Sequence, residues 1–215
     1  MKKLFTLLAL TISFSMNAQV STNSTSPTGT YASAMGNGTT ASGNESTAMG
    51  YDTTASAEAS TAMGYSTTAS AESSTAMGRG TIASGTRSTA MGYSTTASGN
   101  YSTAMGYYSV ASGGYGAIAM GNQTTASGDN STVMGEGGTA SGAASTAMGR
   151  NTTASDYAST VIGQYNSSGS SATSASSFST SNTAFVIGNG ADSSNKSDAF
   201  KVMFNGDTTV SNDLT

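Results

Sequence analysis

Apolar and polar positions along the chain repeat with a fixed beat. Methionine–glycine pairs begin at Met35, Met49, Met63, Met77, Met91 and Met105, fourteen residues apart. One additional residue delays the next to Met120, and the beat resumes at Met134, Met148 and Ile162. A second phrase, built on Ala-Ser, keeps the same interval from Ala41 to Ala111 and slips by the same residue before Ala126, Ala140 and Ala154. Because both phrases slip together, the period belongs to the path of the backbone. Each period holds two segments of strand character, such as residues 53–56 and 60–63, separated by glycine or small polar residues. Threonine favours strands and resists helices, and each glycine within a helix would cost about 1 kcal/mol. Helical repeats also run longer, at about 33 residues or more. The pattern therefore predicts an all-β chain, a parallel β-solenoid of about ten 14-residue coils. Stacked at roughly 4.8 Å per coil, ten coils make a rod of about 48 Å.

Alternation within residues 60–63 sends Ser60 and Ala62 to one face and Thr61 and Met63 to the other. Met35, Met49, Met63, Met77, Met91, Met105, Met120, Met134, Met148 and Ile162 thus form one apolar column. Burying a methionine contributes about 1.5–3 kcal/mol, so the column is expected inside the coil or between chains. Two arrangements remain open. Serine and alanine can line the coil while methionine meets neighbouring chains, or methionine can fill the coil while small residues let chains approach. Both favour association, because a lone rod this thin buries too little surface to offset its ordering entropy. Gly36, Gly50, Gly64, Gly78, Gly92, Gly106, Gly121, Gly135, Gly149 and Gly163 form a second unbroken column. They are read as turn glycines, needing a positive φ or a close backbone approach at the corner.

Composition narrows the picture. Only 8% of residues are charged and there is one proline, Pro27. Such low complexity points to disorder in general, but a disordered chain has no reason to keep a strict period. Residues 1–18 have a basic start at Lys2 and Lys3, an apolar run and then small residues, the layout of a cleaved secretory signal. The run is too short for the roughly 20 residues of a membrane-spanning helix. Removing Lys2 and Lys3 from the seven basic residues leaves five against eleven acidic ones. That balance disfavours nucleic acid and anionic membrane as partners. With no cysteine, neither a disulfide nor an acylated-cysteine anchor is available to the exported chain.

The repeated strand phrase resembles the head repeat of trimeric autotransporter adhesins, the YadA-like head, whose usual form reads approximately SVAIG. STVIG at residues 159–163 and AFVIG at 184–188 come nearest to it, while most copies write threonine for valine and methionine for isoleucine. The resemblance implies a left-handed parallel β-roll, three chains side by side, display on a bacterial surface and an adhesive role. It also implies localisation on the outer-membrane side of a Gram-negative cell. A heptad stalk and a β-barrel anchor are not seen, and no direct membrane insertion is expected. The closing segment, residues 197–215, resembles one found in fibre proteins ahead of a phage-tail-type intramolecular chaperone. Within it, FNGD at residues 204–207 reads as a hairpin turn between AFKVM and TTV.

The expected organisation is a signal at 1–18, a leader at 19–30 and a β-roll head at 31–165. A Ser-rich linker or one irregular, enlarged coil follows at 166–183, the linker being preferred, and then a terminal β segment at 184–215. The chain has no histidine. Without histidine or cysteine the commonest general base and most transition-metal ligands are missing. Only Lys196 and Lys201 could assist a serine nucleophile, and both lie outside the rod. Glu58 and Glu72 form the nearest carboxylate pair and read as solvated charges. No enzyme, cofactor or metal is expected.

Function then rests on columns. After each column glycine stand Asn37, Tyr51, Tyr65, Arg79, Tyr93, Tyr107, Asn122, Glu136, Arg150 and Gln164. Tyr51, Tyr65, Arg79, Tyr93, Tyr107 and Arg150 make a candidate contact strip, since tyrosine and arginine are enriched at interfaces. The plain alternative is an edge that tolerates any side chain. Tyr101, Tyr108 and Tyr115 add aromatic surface near the slip at Gly113 to Gly116, where a bulge should distort the rod. A surface adhesin head, a homotrimer meeting a matrix protein, a polysaccharide or another surface, is the first functional expectation. A passive fibre spacer is the second. Ice binding is the third, through Thr54, Thr68, Thr96, Thr125, Thr139 and Thr153, although Ile82 and Val110 interrupt that column.

Overall fold

The computed structural model describes residues 25–169 and 172–211. The signal-like residues 1–18 and the first part of the leader lie outside the described residues. Among the described residues there is no helix. Each coil contributes one five-residue strand, such as Thr61–Tyr65, and one two-residue strand, such as Thr68–Ala69. The short strands stack into a ten-stranded parallel sheet, and the long ones form most of a thirteen-stranded sheet. Successive coils pair in register, Ala62 with Ala76, Met63 with Met77 and Gly64 with Gly78. Among the described residues the first strand is Ser26–Pro27, which pairs with Thr40–Ala41, ahead of the expected boundary at residue 31. Pro27, which has no N–H to give, sits on this edge strand, a place in a sheet where proline is tolerated.

The two sheets face each other across a thin interior. Ala62, Ala69 and their counterparts are fully buried, together with Ser60 and Thr67 and theirs. Ser60 Oγ donates to the Ala57 carbonyl at 2.6 Å. The hydroxyls of Thr53, Thr67, Thr81 and Thr95 are buried with no protein partner, so this interior gains less than an all-apolar one of equal size. Where Val133 replaces alanine, Gly138 replaces the threonine beside it. A Cβ added to Gly138 would stand 3.0 Å from a Val133 methyl. The coil keeps its volume by trading one large residue for another.

The serine–alanine face is therefore the inner one, and the methionine column lies outside. Met35 is 43% exposed and the other methionines of the column are at most about as open. No room exists for methionine inside a coil this narrow.

Two expectations change here. The column glycines are not in the turn. Gly64 is the fourth residue of the strand Thr61–Tyr65, with φ +126°, and a Cβ there would stand 2.0 Å from the Gly78 carbonyl oxygen. Positive φ and close approach both apply, but inside the sheet, where coils stack backbone on backbone. The corners themselves are left-handed and mostly not glycine, as at Asp52 (φ 53°), Ala59 (φ 53°) and Ser66 (φ 51°). Each such corner N–H is satisfied by the previous coil, Ser66 N donating to Tyr51 O at 2.8 Å and Ala59 N to Asn44 O at 2.8 Å.

The second change concerns the slip. Asn100 donates to Gly114 O at 3.1 Å and accepts from Gly116 N at 2.9 Å. The extra residue is thus absorbed at a corner, while Met105 still pairs with Met120 and Val110 with Thr125. Neither sheet is distorted in register.

Residues 166–183 do not run free as a linker. Ser155 N donates to Gly169 O, Tyr157 N to Ser174 O and Ala143 N to Ala175 O, each at 2.8 Å, so the segment lies on the coils beneath it as an enlarged coil. Thr183–Asn189 then resumes the broad sheet, Ile187 over Ile162 and Gly188 over Gly163. Asp198–Met203 and Thr208–Val210 add an antiparallel hairpin turning through residues 204–207.

Candidate functional site

In each long strand the first, third and fifth side chains point outward, which for Thr61–Tyr65 means Thr61, Met63 and Tyr65. The broad sheet consequently carries three parallel columns on its outer face: threonine, methionine and a variable one. Methionines are half-buried by their own stack, and the column continues through Ile162 to Ile187. This is an apolar stripe running the length of the rod, flanked by threonine.

The variable column is not uniform. Tyr51 and Tyr65 stack at 5.1 Å with planes 8° apart, and Tyr93 and Tyr107 stack at 5.2 Å. Between these pairs the Arg79 guanidinium lies 5.3 Å from the Tyr65 ring and 5.5 Å from the Tyr93 ring. The five residues form one continuous stack over five coils, because in-register strands bring equivalent rings to the spacing at which they pack. Tyr108 closes its end edge-on, 4.5 Å from Tyr107. Arg150, the sixth residue of the expected strip, stands apart: it pairs with Glu136 at 3.7 Å and lies over Tyr165 at 5.6 Å. Asn37 and Asn122 flank the stack, and Gln164 is held by the Gly190 carbonyl at 2.8 Å.

The opposite corner holds a smaller cluster. Arg87 donates to Tyr101 Oη at 2.8 Å and meets Glu72 at 3.4 Å, and Tyr101 stacks on Tyr115 at 5.9 Å. Glu72 is therefore an ion-pair partner, and Glu58 lies one coil away on the same corner. Among the described residues no group of three acidic, histidine or cysteine side chains could hold a metal. The Asp192 carboxyl is held below the usual carboxylate range by the Asn195 side-chain amide and by the N–H groups of Ser194 and Asn195, a local turn. On the narrow sheet Thr54, Thr68 and Thr96 line up outward with Ile82 and Val110 among them. Lys196 and Lys201 lie in the terminal part, away from the regular coils.

Three residues that sequence reading passed over organise the end of the rod. Asp156 is buried, its Oδ1 accepting from Thr173 N at 2.6 Å and its Oδ2 from Thr183 N at 2.7 Å. Asn166 takes the place of a next strand, accepting from Thr153 N at 2.7 Å and donating to Thr153 O at 2.9 Å. Asn182 donates to the Ser174 and Ser177 carbonyls at 3.0 and 3.3 Å. The signal for the first was present: residue 156 breaks the Ala-Ser-Gly/Ala phrase with a carboxylate.

Five segments, residues 28–53, 55–81, 83–109, 110–136 and 140–166, match the family model described as YadA head domain repeat (2 copies). No curated protein matches the chain.

Proposed function

The chain belongs to the YadA head family, and on that premise we propose that it works as the attachment head of a trimeric surface adhesin. The family supplies the coarse statement, an adhesin-like head with a β-roll surface displayed at the cell surface. The finer reading is that three copies pack through the outward methionine columns and present their corners to a ligand. One observation supports it above the rest: an apolar column continuous over ten coils lies on the outside of a single chain. Contiguous apolar surface of this kind marks an interaction face, and its own sister is the one partner with the same period. Export by the signal at residues 1–18, and no catalytic role, belong to the same proposal.

Light scattering on residues 19–215 tests the assembly, with a mass of three copies expected and a monodisperse single copy refuting it. Replacing Met63, Met77 and Met91 by glutamine should shift the mass to one copy. Beads coated with the trimer should adhere to immobilised matrix protein or polysaccharide above an uncoated control. The spacer reading draws on the far end of the strip, where Asn122 and Glu136 end the aromatic stack. It predicts no adhesion by the beads. The threonine column gives ice binding a weaker basis, and thermal hysteresis no greater than that of buffer would remove it.

A further inference from the structure

We propose that the Tyr51–Tyr65–Arg79–Tyr93–Tyr107 stack is a binding site for an extended anionic polysaccharide, with Arg79 receiving its carboxylate or sulfate. The inference rests on the adhesin reading and names the ligand class of that surface.

Three features converge on this class. The first is the condition of Arg79. Arg87 and Arg150 each have a carboxylate within 4 Å, Glu72 and Glu136. Among the described residues no carboxylate pairs with Arg79, so its charge is unspent. Its guanidinium lies between two tyrosine rings, 5.3 Å from Tyr65 and 5.5 Å from Tyr93, and the residue is exposed to solvent. A planar fork held in one orientation matches an oxyanion and loses little freedom on binding it.

The second feature is the row of hydroxyls. Ring faces in the stack are occupied by one another, so the tyrosines offer edges and Oη atoms, not flat platforms. Tyr51, Tyr65 and Tyr107 remain about half exposed, at 50%, 48% and 47%. Their phenol rings lie on either side of the cation, with centroids 5.1 to 5.2 Å apart within each pair. That interval is close to the rise of one sugar ring in an extended glycan. A chain lying along the rod axis can therefore set successive hydroxyls against successive tyrosines.

The third feature is charge. The chain is acidic, with seven basic residues against eleven acidic ones, and the stack holds one cation. A dense polyanion such as nucleic acid requires clustered basic residues. A glycan with an acidic group amid neutral hydroxyls asks for one cation amid neutral hydroxyls. Asp52, at the corner beside Tyr51, bounds the site at that end and rejects a second anion there.

The test uses residues 19–215 in their assembled state, titrated calorimetrically with oligogalacturonate, dextran sulfate and a neutral cello-oligosaccharide. Binding of either acidic polymer, with the neutral one at least about tenfold weaker, is expected. Arg79→Gln should weaken the acidic polymer by about tenfold, the loss of one charge-assisted contact, and Arg79→Lys should lose part of that. Arg150→Gln serves as control and should change nothing. Circular dichroism of each variant confirms the fold. Equal affinity for the neutral oligosaccharide, an unaffected Arg79→Gln, or equal losses in Arg79→Gln and Arg150→Gln would each overturn the proposal. If Arg79→Gln beads still adhere fully and the wild type binds neither acidic polymer, this inference fails while the adhesin reading stands. If the wild type binds an acidic polymer but its beads adhere to nothing, the adhesin reading fails and the site stands.

Discussion

Replacing Gly64 by alanine puts the stacking of the coils to the test. The new Cβ would stand 2.0 Å from the Gly78 carbonyl oxygen, whereas real Cβ contacts stay beyond 3.0 Å. Adjacent coils must part by about 1 Å at this point, which weakens two or so ladder hydrogen bonds at about 1 kcal/mol each. A backbone held at φ +126° adds about 1–3 kcal/mol for any side chain. The sum is about 3–5 kcal/mol. At ~2–4 °C per kcal/mol for a chain of this size, the melting temperature should fall by about 6–20 °C. Because each coil touches only its neighbours, the damage should also split the rod into two melting units. Gly80→Ala is the control. Gly80 lies at a corner with φ +63°, its Cβ would meet nothing closer than Ser94 Oγ at 3.4 Å, and Ser66 and Ser94 occupy that same corner in adjacent coils. It should lose only about 1 kcal/mol. Thermal melts followed at the sheet band of the circular dichroism spectrum compare the two. A Gly64→Ala melt no lower than that of Gly80→Ala would refute the reasoning, since both would then cost only backbone conformation.

The remaining predictions address the interior, the corners and the end of the rod. Val133→Ala should cost about 1.5–2.5 kcal/mol, two methyl groups plus the space they leave. Gly138→Thr alone should also destabilise by crowding the Val133 methyl, yet the double variant should regain most of both losses in urea unfolding; simple additivity would contradict the volume trade. Ala59→Gly and Ala144→Gly, at φ 53° and 58°, should each raise stability by about 0.5–1 kcal/mol, relief of left-handed strain less the added freedom of the unfolded chain. A lowered urea midpoint in either would count against the corner geometry. Asp156→Asn should lose about 2 kcal/mol locally, as charge-assisted bonds weaken and an amide group faces backbone N–H donors. Hydrogen exchange should quicken at the Thr173 and Thr183 amides while Ala62 keeps its protection, and unchanged exchange at both amides would exclude the assigned role.

Much of this fold could be read from the period. Fourteen residues set the coil, threonine chose sheet over helix, and Met63 over Met77 followed from register. What the period could not give was which face turns inward, because Ser60–Ala62 and Thr61–Met63 alternate equally well either way. Volume decided: two sheets this close admit alanine and serine but not methionine. The pattern predicts a positive φ or a close backbone approach for the glycine column but puts it at a corner, whereas the close approach is to a carbonyl of the next coil within the sheet, a contact no local pattern displays. Of the contact strip, five residues stack together because they are consecutive, whereas Arg150 is isolated by Asn122 and Glu136. Asp156, Asn166 and Asn182 escaped notice because each bonds to a segment without repeats, where spacing carries no information.

The placement of the single extra residue bears on what the methionine column is for. An insertion within a strand would have flipped every following side chain to the other face. Met120 would then point inward, into a space that holds Ala119 with no exposure left. Lodged at the corner between Gly113 and Gly116, the same insertion leaves Met105 paired with Met120 and Gly106 with Gly121. The interior alone would demand only that small residues stay inside, and a corner insertion satisfies that. It also keeps the outer stripe straight, which a solitary rod in water has no need to do. The interior of each coil buries little more than alanine, serine and threonine, so apolar burial there is small for the entropy of ordering fourteen residues. The half-buried methionines form one apolar column along the stack, and covering them would add to what the coil's own interior buries. In the proposed trimer, coil formation and chain association would be coupled, the outer stripe supplying what the narrow core lacks.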